Sequence, residues 1–364
     1  MGVIRLLFLA DTHLGFDYPF RPRVQHRRRG DDFFANFRRA LRPAFEGRVD
    51  AVIHGGDLLF RSRVPARLVD MAFAPFKELA DRGVPVYIVP GNHERSRIPF
   101  RLLGSHPFVH IFDSPRTYCL EKGGFRLALA GFPYWRENIR RRFSEVLEST
   151  GWRNFSSSCD GVLLCLHHCF EGATVGPGNY TFRNAEDVIR HRDVPPEVCA
   201  VLSGHIHRHQ VLRQDLSGRP LRTPVLYPGS IDRTSFAEKE EAKGFLVLRI
   251  RTRNEQTPVA LDWCFEELPA RPMVRIRIPS EPMDNQALEL FLRRALRPLA
   301  PDSIVKLQLE GLVGSECLPL LRADSLRRLC PPEMNISLGF RTGDRSRQAG
   351  NAGVTVHSSR SPLP

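Results

Sequence analysis

Five short polar motifs contain the residue types from which a metal site can be built. In chain order they are Asp11-Thr12-His13, Gly55-Gly56-Asp57, Gly91-Asn92-His93-Glu94, His167-His168 and Gly204-His205-Ile206-His207. Carboxylate, amide and imidazole groups without a thiolate suit Mn²⁺, Fe²⁺ or Zn²⁺ better than they suit a structural thiolate zinc site. One such motif alone usually marks a turn or a hydrogen-bonded histidine, but five in succession predict a metal centre.

Each motif directly follows an apolar segment that predicts a β-strand. The five segments are residues 3–10, 51–54, 84–89, 162–166 and 199–203. Amphipathic helices are predicted over residues 31–45 and 65–81, between the first three strands. Ligands of α/β proteins bind beyond the carboxyl ends of the strands, so five strands could direct these side chains to one place.

The remaining pattern predicts a layered α/β domain over residues 1–267 and a smaller α+β domain over residues 272–340. The first domain has further strands at 126–130, 224–227 and 245–250 and a helix at 136–150. The segment LPARP, residues 268–272, indicates the boundary because two prolines flank a short polar link. The second domain has strands at 274–278 and 304–309 and helices at 285–296 and 323–329. Residues 341–364 lack bulky apolar side chains and are predicted to be disordered.

Basic residues exceed acidic ones, with 53 Lys and Arg against 40 Asp and Glu and a formal net charge of +13. Such an excess favours a polyanionic partner, although an arginine-rich genome would produce the same total. The eight cysteines form no CxxC pair, which predicts free thiols in a cytoplasmic protein. The apolar start is too short for a signal peptide, and no segment approaches the roughly 20 apolar residues of a membrane span.

Taken in order, the motifs DTH, GGD, GNHE, a strand-end histidine and GHIH resemble the calcineurin-like metallophosphoesterase superfamily. Three longer segments, HGGDLL, VPGNHE and YPGSIDRTSFAEKEEAKGF (residues 227–245), are similar to the SbcD-type DNA repair nucleases. The resemblance covers about residues 3–265, and residues 272–338 are more weakly similar to the capping domain of that family. It implies a metallophosphoesterase sandwich of mixed sheets flanked by helices, with a small C-terminal α+β capping domain.

The resemblance also implies a set of metal ligands and two divalent ions. Asp11, His13 and His207 would hold one ion, and Asn92, His167 and His205 would hold the other. Asp57 would bridge the pair. Mn²⁺ is the expected ion, with Fe²⁺, Zn²⁺ or Mg²⁺ as alternatives. Two ions at such a site can clamp both the attacking and the leaving oxygen of an in-line displacement.

Several neighbouring residues have implied roles outside the ligand set. His93 would face the substrate phosphate and stabilise the transition state or protonate the leaving oxygen. Glu94 would accept a hydrogen bond from the other ring nitrogen of His93, and His54 would have a supporting or structural role. His167 is preferred over His168 as a ligand because it directly ends the apolar strand, but the sequence leaves both open.

The sequence leaves three functions to consider. The first is an SbcD-type nuclease that cleaves DNA. The second is a phosphatase or phosphodiesterase for a small nucleotide or phosphoprotein, because GNHE is also common in protein phosphatases and Phe60 stands where the nucleases often have a histidine. The third, a non-catalytic binding protein, is disfavoured because every expected ligand type is present.

A basic cluster follows the first metal motif. It consists of Arg21, Arg23, Arg27, Arg28 and Arg29. No aromatic residue interleaves it after Phe20, so contact with the DNA backbone rather than base reading is expected, with a solvated loop as the alternative. SbcD-type nucleases usually act with an SbcC-type ABC ATPase, but the polar segment after residue 340 predicts no amphipathic helix to dock one. The sequence therefore favours, weakly, a protein that acts without this partner.

Overall fold

The computed structural model describes residues 2–18, 27–94, 103–254, 257–279, 281, 283–310 and 314–340. The chain forms two compact units. The larger unit runs to Ala270 but does not include Arg27, and the smaller unit contains the residues from Arg271 onward together with Arg27. The segment 341–364, for which disorder was predicted, lies outside the described residues. Among the described helices, none is long and apolar enough to cross a membrane.

The first sheet of the larger unit is mostly parallel. Its strands are β1 (Val3–Leu9), β2 (Ala51–His54), β3 (Val86–Ile88), β4 (Val109–Ile111), β15 (Lys243–Asn254) and β16 (Thr257–Leu268). Their order is β16-β15-β1-β2-β3-β4, and β1 to β4 run parallel. The helices α1 (Arg29–Phe45) and α2 (Ala66–Asp81) connect β1 to β2 and β2 to β3.

The second sheet has four parallel strands between two antiparallel edge strands. Its strands are β5 (Arg116–Lys122), β6 (Phe125–Gly131), β7 (Gly161–Leu166), β12 (Val198–Ser203), β13 (Gln210–Gln214) and β14 (Pro220–Tyr227). Their order is β13-β14-β12-β7-β6-β5. Further elements of this half are α3 (Ile139–Glu148), α4 (Arg153–Ser156), β8 (Cys169–Phe170), β9 (Thr174–Val175), β10 (Tyr180–Thr181) and β11 (Val188–Ile189).

The two sheets pack face to face and share one apolar layer. Phe8 and Ile53 of the first sheet and Leu163 and Leu202 of the second belong to this layer and are fully buried. Separate apolar clusters cover the outer faces, with α1 and α2 on the first sheet and α3 on the second. Parallel strands covered on both faces are apolar throughout, which is why the sequence predicted them well. The α/β sandwich predicted from the sequence is confirmed.

The differences from the prediction lie at sheet edges. The strands β4, β5, β13 and β16 were not predicted, and each is an edge strand of its sheet. Such strands are buried on one side only or are very short, so their apolar pattern is weak. The predicted helix at 136–150 is shorter, because α3 covers only Ile139–Glu148.

The smaller unit contains a three-stranded parallel sheet. Its elements are β17 (Met273–Ile278), α5 (Asn285–Leu296), β18 (Ile304–Leu309), α6 (Ala323–Arg328) and β19 (Asn335–Phe340). Asp284 caps α5 by accepting a hydrogen bond from the Ala287 N–H at 2.7 Å. Leu288 and Leu292 of α5 pack with Val305 of β18 in a separate apolar core. This core gives the unit its own source of stability.

The shared layer between the large sheets predicts a strong response to truncation. Leu163→Ala should lower the free energy of unfolding by about 2–5 kcal/mol, because it leaves a cavity in a fully buried layer. Leu216→Ala is the matched control, since its side chain is 45% exposed, and it should change stability by less than about 0.5 kcal/mol. Urea unfolding followed by tryptophan fluorescence measures both, and equal losses would contradict the packing described here.

Candidate metal centre

The loops that follow β1, β2, β3, β7 and β12 meet at one edge of the sandwich. Within each sheet these strands are parallel, so their carboxyl ends lie together. Contacts then join the sheets: the Asp11 carboxylate accepts the His205 N–H at 3.0 Å, and His167 Nδ1 donates to the Gly55 carbonyl at 2.7 Å. The fold thus brings all five sequence motifs to one place.

The backbone at this edge is strained. Four of the motif residues have positive φ angles, namely Asp11 (51°), His13 (41°), Asp57 (52°) and His205 (81°). Non-glycine residues rarely adopt this region, and such residues cluster at functional sites where the surrounding structure holds them. The backbone at Gly91 also approaches the Asp57 side chain so closely that a Cβ atom at this position would overlap the carboxylate.

Asp11, His13 and His207 form one group of potential ligands. Their ligand atoms lie within 4.8 Å of one another. The Nε2 atoms of His13 and His207 are 2.9 Å apart, and His207 Nε2 lies 4.0 Å from Asp11 Oδ1. Two facing ring nitrogens can share only one proton, whereas a cation could bind both nitrogens and the carboxylate. Burial raises the pKa of Asp11 to about 6, although His167 and His207 act in the opposite direction.

Asn92, His167 and His205 form the second group. The Asn92 side-chain oxygen lies 3.0 Å from His167 Nε2 and 3.0 Å from His205 Nδ1. Since His167 Nδ1 donates to the Gly55 carbonyl, Nε2 is the nitrogen that would bind a metal. Burial, together with the neighbouring His167, lowers the pKa of His205 to about 3, so this ring is neutral at physiological pH.

Asp57 lies between the two groups. Its Oδ2 is 3.5 Å from His167 Nε2, and the carboxylate falls within 4.8 Å of ligand atoms of Asp11 and His167 and also of His13 and His93. Burial raises its pKa, but the charges of His167 and His13 more than offset that effect and hold the pKa well below its usual value. An ionised carboxylate at this position has an oxygen for each of two cations.

The structure shows which of the two adjacent histidines, His167 or His168, faces the other candidate ligands. His167 faces the ligand cluster. His168 Nε2 instead accepts the Trp135 N–H at 3.1 Å, and its ring stacks on Tyr134 with centroids 4.9 Å apart. Alternation of side chains along an extended segment explains why the two rings diverge.

Glu94 has a different role from the one the sequence suggested. Its carboxylate accepts the backbone N–H groups of Asp57 (2.9 Å), Leu59 (2.8 Å) and Gly91 (2.8 Å), and so ties two motif loops together. His93 Nδ1 contacts the carbonyl oxygen of Phe60 instead. The expectation that Glu94 orients His93 directly is therefore wrong, because the carboxylate is occupied by three main-chain donors.

His93 lies at the rim of the cluster, with a side chain that is 32% exposed. Its Nε2 is 3.7 Å from Asp57 Oδ2, so it faces the position between the ligand groups. His54 lies behind the cluster, where Nδ1 accepts the Gly56 N–H at 3.2 Å and Nε2 contacts the Thr12 hydroxyl at 3.1 Å. Both nitrogens of His54 are thus used to hold the loops.

Three further residues at the site were not identified from the sequence. Glu238 Oε1 lies 3.4 Å from His207 Nδ1, and its Oε2 accepts from the fully buried Lys243 at 2.7 Å. Tyr134 lies beside the cluster, with its ring 5.6 Å from that of His205. Glu238 and Lys243 lie in the segment 227–245 that carries the family resemblance, and that was the available signal.

The structure describes only part of the basic cluster. Arg21 and Arg23 lie outside the described residues, and Arg27 is exposed. Arg28 pairs with the Asp17 carboxylate. Arg29 lies over the Phe16 ring and donates to the Arg233 carbonyl. Arg28 and Arg29 therefore make contacts within the protein, and binding of a nucleic acid by this cluster stays a prediction.

The donors present fit two hard or borderline divalent cations. The candidate groups combine imidazole nitrogens with carboxylate and amide oxygens, and none of the groups found among the described residues includes a thiolate. Buried carboxylates and close ring nitrogens are costly without a cation, so the arrangement suits the pair of ions that the motif resemblance implies.

Comparison with known proteins agrees with this geometry. A family model described as calcineurin-like phosphoesterase matches residues 4–209. The chain belongs to this family, and its enzyme class is that of a metal-dependent phosphoesterase. The resemblance inferred from the sequence motifs is thereby confirmed.

Curated relatives narrow the comparison. The chain is 28% identical over 253 residues to the DNA double-strand break repair protein Mre11 of Methanocaldococcus jannaschii. This alignment covers 66% of this chain and 61% of that protein. It is 26% identical over 317 residues to the protein of the same name from Haloferax volcanii. That alignment covers 84% of this chain and 61% of the Haloferax protein. The chain therefore spans about three fifths of the length of these relatives.

Among solved structures, a dimetal phosphatase from Danio rerio aligns with a TM-score of 0.45 and 14% identity, over 71% of this chain and 98% of that one. The NAD nucleotidase of Haemophilus influenzae aligns with a TM-score of 0.40 and 10% identity, over 73% of this chain and 49% of that one.

The pKa of His167 predicts a pH dependence of metal binding. Burial lowers this pKa, but the neighbouring Asp57 and Asp11 raise it to about 9 overall. Between pH 6 and 9 the metal-free ring is therefore protonated and must lose its proton to bind a metal. We expect metal binding to release about one proton from this residue and affinity to increase with pH. Calorimetry of Mn²⁺ binding in buffers of different ionisation enthalpy measures the release, and a value near zero would contradict the assignment.

The contact behind His207 predicts a loss of metal affinity on mutation. Glu238→Gln should weaken metal binding by about 10–100-fold, because carboxylates that hold ligand histidines contribute on that scale. Glu240→Gln is the matched control, since its side chain is 82% exposed and pairs with Lys239 at the surface. Titration with Mn²⁺ gives both affinities, and equal values for the two variants would remove Glu238 from the site.

Proposed function

We propose that this chain is a two-metal, Mn²⁺-dependent phosphodiesterase that cleaves DNA in DNA repair. One observation carries the proposal: the strand-end side chains converge on two overlapping ligand groups joined by Asp57. The DNA substrate is supported by the relatives, which are DNA double-strand break repair proteins that match 66% and 84% of this chain.

The residue roles follow from the two ligand groups. Asp11, His13 and His207 would hold one ion, Asn92, His167 and His205 would hold the other, and Asp57 would contact both. When bound, the ions supply Lewis-acid activation and neutralise negative charge on the phosphate. Nitrogen and oxygen donors without thiolate are compatible with Mn²⁺, which we take as the working ion, and with Fe²⁺, Zn²⁺ or Mg²⁺.

His93 would act on the substrate rather than on the metal. Its Nδ1 is engaged by the Phe60 carbonyl, so its Nε2 points toward the space beside Asp57. From there a protonated ring can donate a hydrogen bond to a phosphate oxygen or a proton to the leaving oxygen.

The alternative is a phosphatase or phosphodiesterase that acts on a small nucleotide or a phosphoprotein. Phe60 favours it, because nucleases of the resembled type often have a histidine there. Phe60 contributes its carbonyl to His93, however, and a main-chain group is present whatever the side chain. The substitution changes the surface that a substrate meets and leaves the support of His93 intact.

Partners and location follow from the proposed substrate. The net charge of +13 favours contact with the DNA backbone. The unit from Arg271 onward would serve as a cap that orients the duplex, by analogy with the SbcD-type nucleases. An SbcC-type ATPase remains a candidate partner without support from a docking helix. A DNA repair role would place the protein in the compartment that holds the DNA, which we take to be the cytoplasm.

Asp57→Asn tests the chemistry and the substrate together. We expect Mn²⁺-dependent degradation of end-labelled linear duplex DNA by the wild type and a loss on the order of a thousandfold in the variant, because a bridging charge is removed. Asp113→Asn, at a surface pair with Arg116, is the control and should retain activity.

A small phosphodiester, bis(p-nitrophenyl) phosphate, separates the outcomes. Hydrolysis of this compound with intact DNA would favour the phosphatase alternative and refute the nuclease. If neither DNA nor bis(p-nitrophenyl) phosphate is hydrolysed while Mn²⁺ is bound, the proposal of an Mn²⁺-dependent hydrolase is refuted. Degradation of DNA that Asp57→Asn leaves unchanged would indicate a contaminating nuclease and refute the assignment of the site.

A further inference from the structure

Two cysteines that are distant in sequence lie together at the edge of the second sheet. Cys119 is on the edge strand β5, and Cys159 is in the turn that leads into β7. Their Sγ atoms are 3.8 Å apart, and both side chains are partly exposed. Spacing along the chain does not reveal the pair, because its members are 40 positions apart.

The backbone imposes this proximity. Cys119 pairs with Ala128 of β6, and Ala128 pairs in turn with Val162 of β7. The turn is held to β6 by two hydrogen bonds, from Asp160 N to the Arg126 carbonyl at 2.8 Å and from Arg126 N to the Asp160 carboxylate at 2.7 Å.

The two thiols have unequal surroundings. The Arg126 guanidinium lies beside Cys119, and its hydrogen bond with Cys119 raises the pKa of Arg126. Arg126 also donates to the Ser158 carbonyl at 2.9 Å, which holds the cation close to the turn. Burial and the hydrogen bond with Cys119 raise the pKa of Cys159. A second thiol within reach of an oxidised cysteine can convert it to a disulfide.

We propose that Cys119 and Cys159 form a reversible disulfide when the protein meets a peroxide such as hydrogen peroxide. The Cys119 thiolate attacks one peroxide oxygen, the O–O bond breaks, and the departing hydroxide takes a proton to become water. The resulting sulfenic acid is attacked by the Cys159 sulfur, which forms the S–S bond and expels the hydroxyl as water with the Cys159 proton. Two thiols lose two electrons in total, and one peroxide is reduced to two waters. The sulfur atoms need to approach by a little under about 2 Å.

The bond would join β5 to the turn before β7 across β6. A cross-link between segments so far apart in sequence restricts the unfolded chain, so the oxidised protein should be more stable. None of the candidate metal ligands takes part in the bond. We therefore expect a stabilising modification that leaves phosphoester hydrolysis unchanged, and the proposal does not depend on the identity of the substrate.

The test oxidises the full-length protein with a small excess of hydrogen peroxide. After alkylation and digestion, mass spectrometry should identify a peptide that links Cys119 to Cys159, and dithiothreitol should reverse it. The melting temperature of the wild type should rise by several degrees on oxidation. Cys119→Ser and Cys159→Ser should each abolish both effects, whereas Cys264→Ser, at an exposed cysteine on β16, should abolish neither.

Oxidation of the wild-type protein is enough to refute the proposal. The test therefore remains valid even if a cysteine variant fails to fold. Oxidation that leaves both cysteines open to alkylation would overturn it. Links from either cysteine mainly to Cys264 or Cys330, or irreversible oxidation of Cys119 without a link, would also overturn it.

Discussion

The burial of Asp57 beside His167 is the interaction on which the rest of the site depends. A carboxylate that is 3% exposed loses most of its hydration, which costs several kcal/mol unless opposite charge compensates. His167 Nε2 at 3.5 Å supplies that charge in the absence of metal, and cations would supply it in the holoenzyme. The two residues come from different sheets, so their pairing also joins the sheets at the edge where the motifs meet. A sandwich with a shared apolar layer holds this edge in place, because neither sheet can shift without exposing residues such as Leu163.

The strained loops persist because polar groups behind them hold each turn. Glu94 accepts three main-chain N–H groups from two loops, and burial together with the neighbouring Asp57 raises its pKa to about 8. At the other end of the cluster, Lys243 bonds both Glu238 and the His207 carbonyl. These contacts compensate locally for φ angles that ordinary residues avoid. The same contacts hold the candidate ligands in place, and a site held in this way lowers the cost of binding an ion.

The sequence predicted most of what is local and little of what is long-range. The strands of the parallel cores and the ligand motifs at their ends follow from apolar runs that stop at polar residues, so β1, β2 and β7 were found with accurate bounds. Side-chain alternation was also enough to prefer His167 over His168. The partners of Glu94, Glu238 and Arg28 depend on which loops meet in space, and spacing along the chain does not contain that information. For the same reason the edge strands and the sulfur pair became visible only in the folded chain.

The metal centre and the substrate are decided by different parts of the molecule. Asp11, His13, Asp57 and His167 are buried, and in the proposed function their arrangement would serve phosphoester hydrolysis whatever is attached to the phosphate. Discrimination between a DNA strand and a small phosphoester must come from the rim, where His93, Phe60 and Tyr134 are partly exposed. A rim residue can change without loss of the ligands, since the main-chain carbonyl of residue 60 contacts His93 whatever side chain stands there. The absence of a histidine at this position therefore bears on how the substrate is held, and it does not count against hydrolysis at the centre.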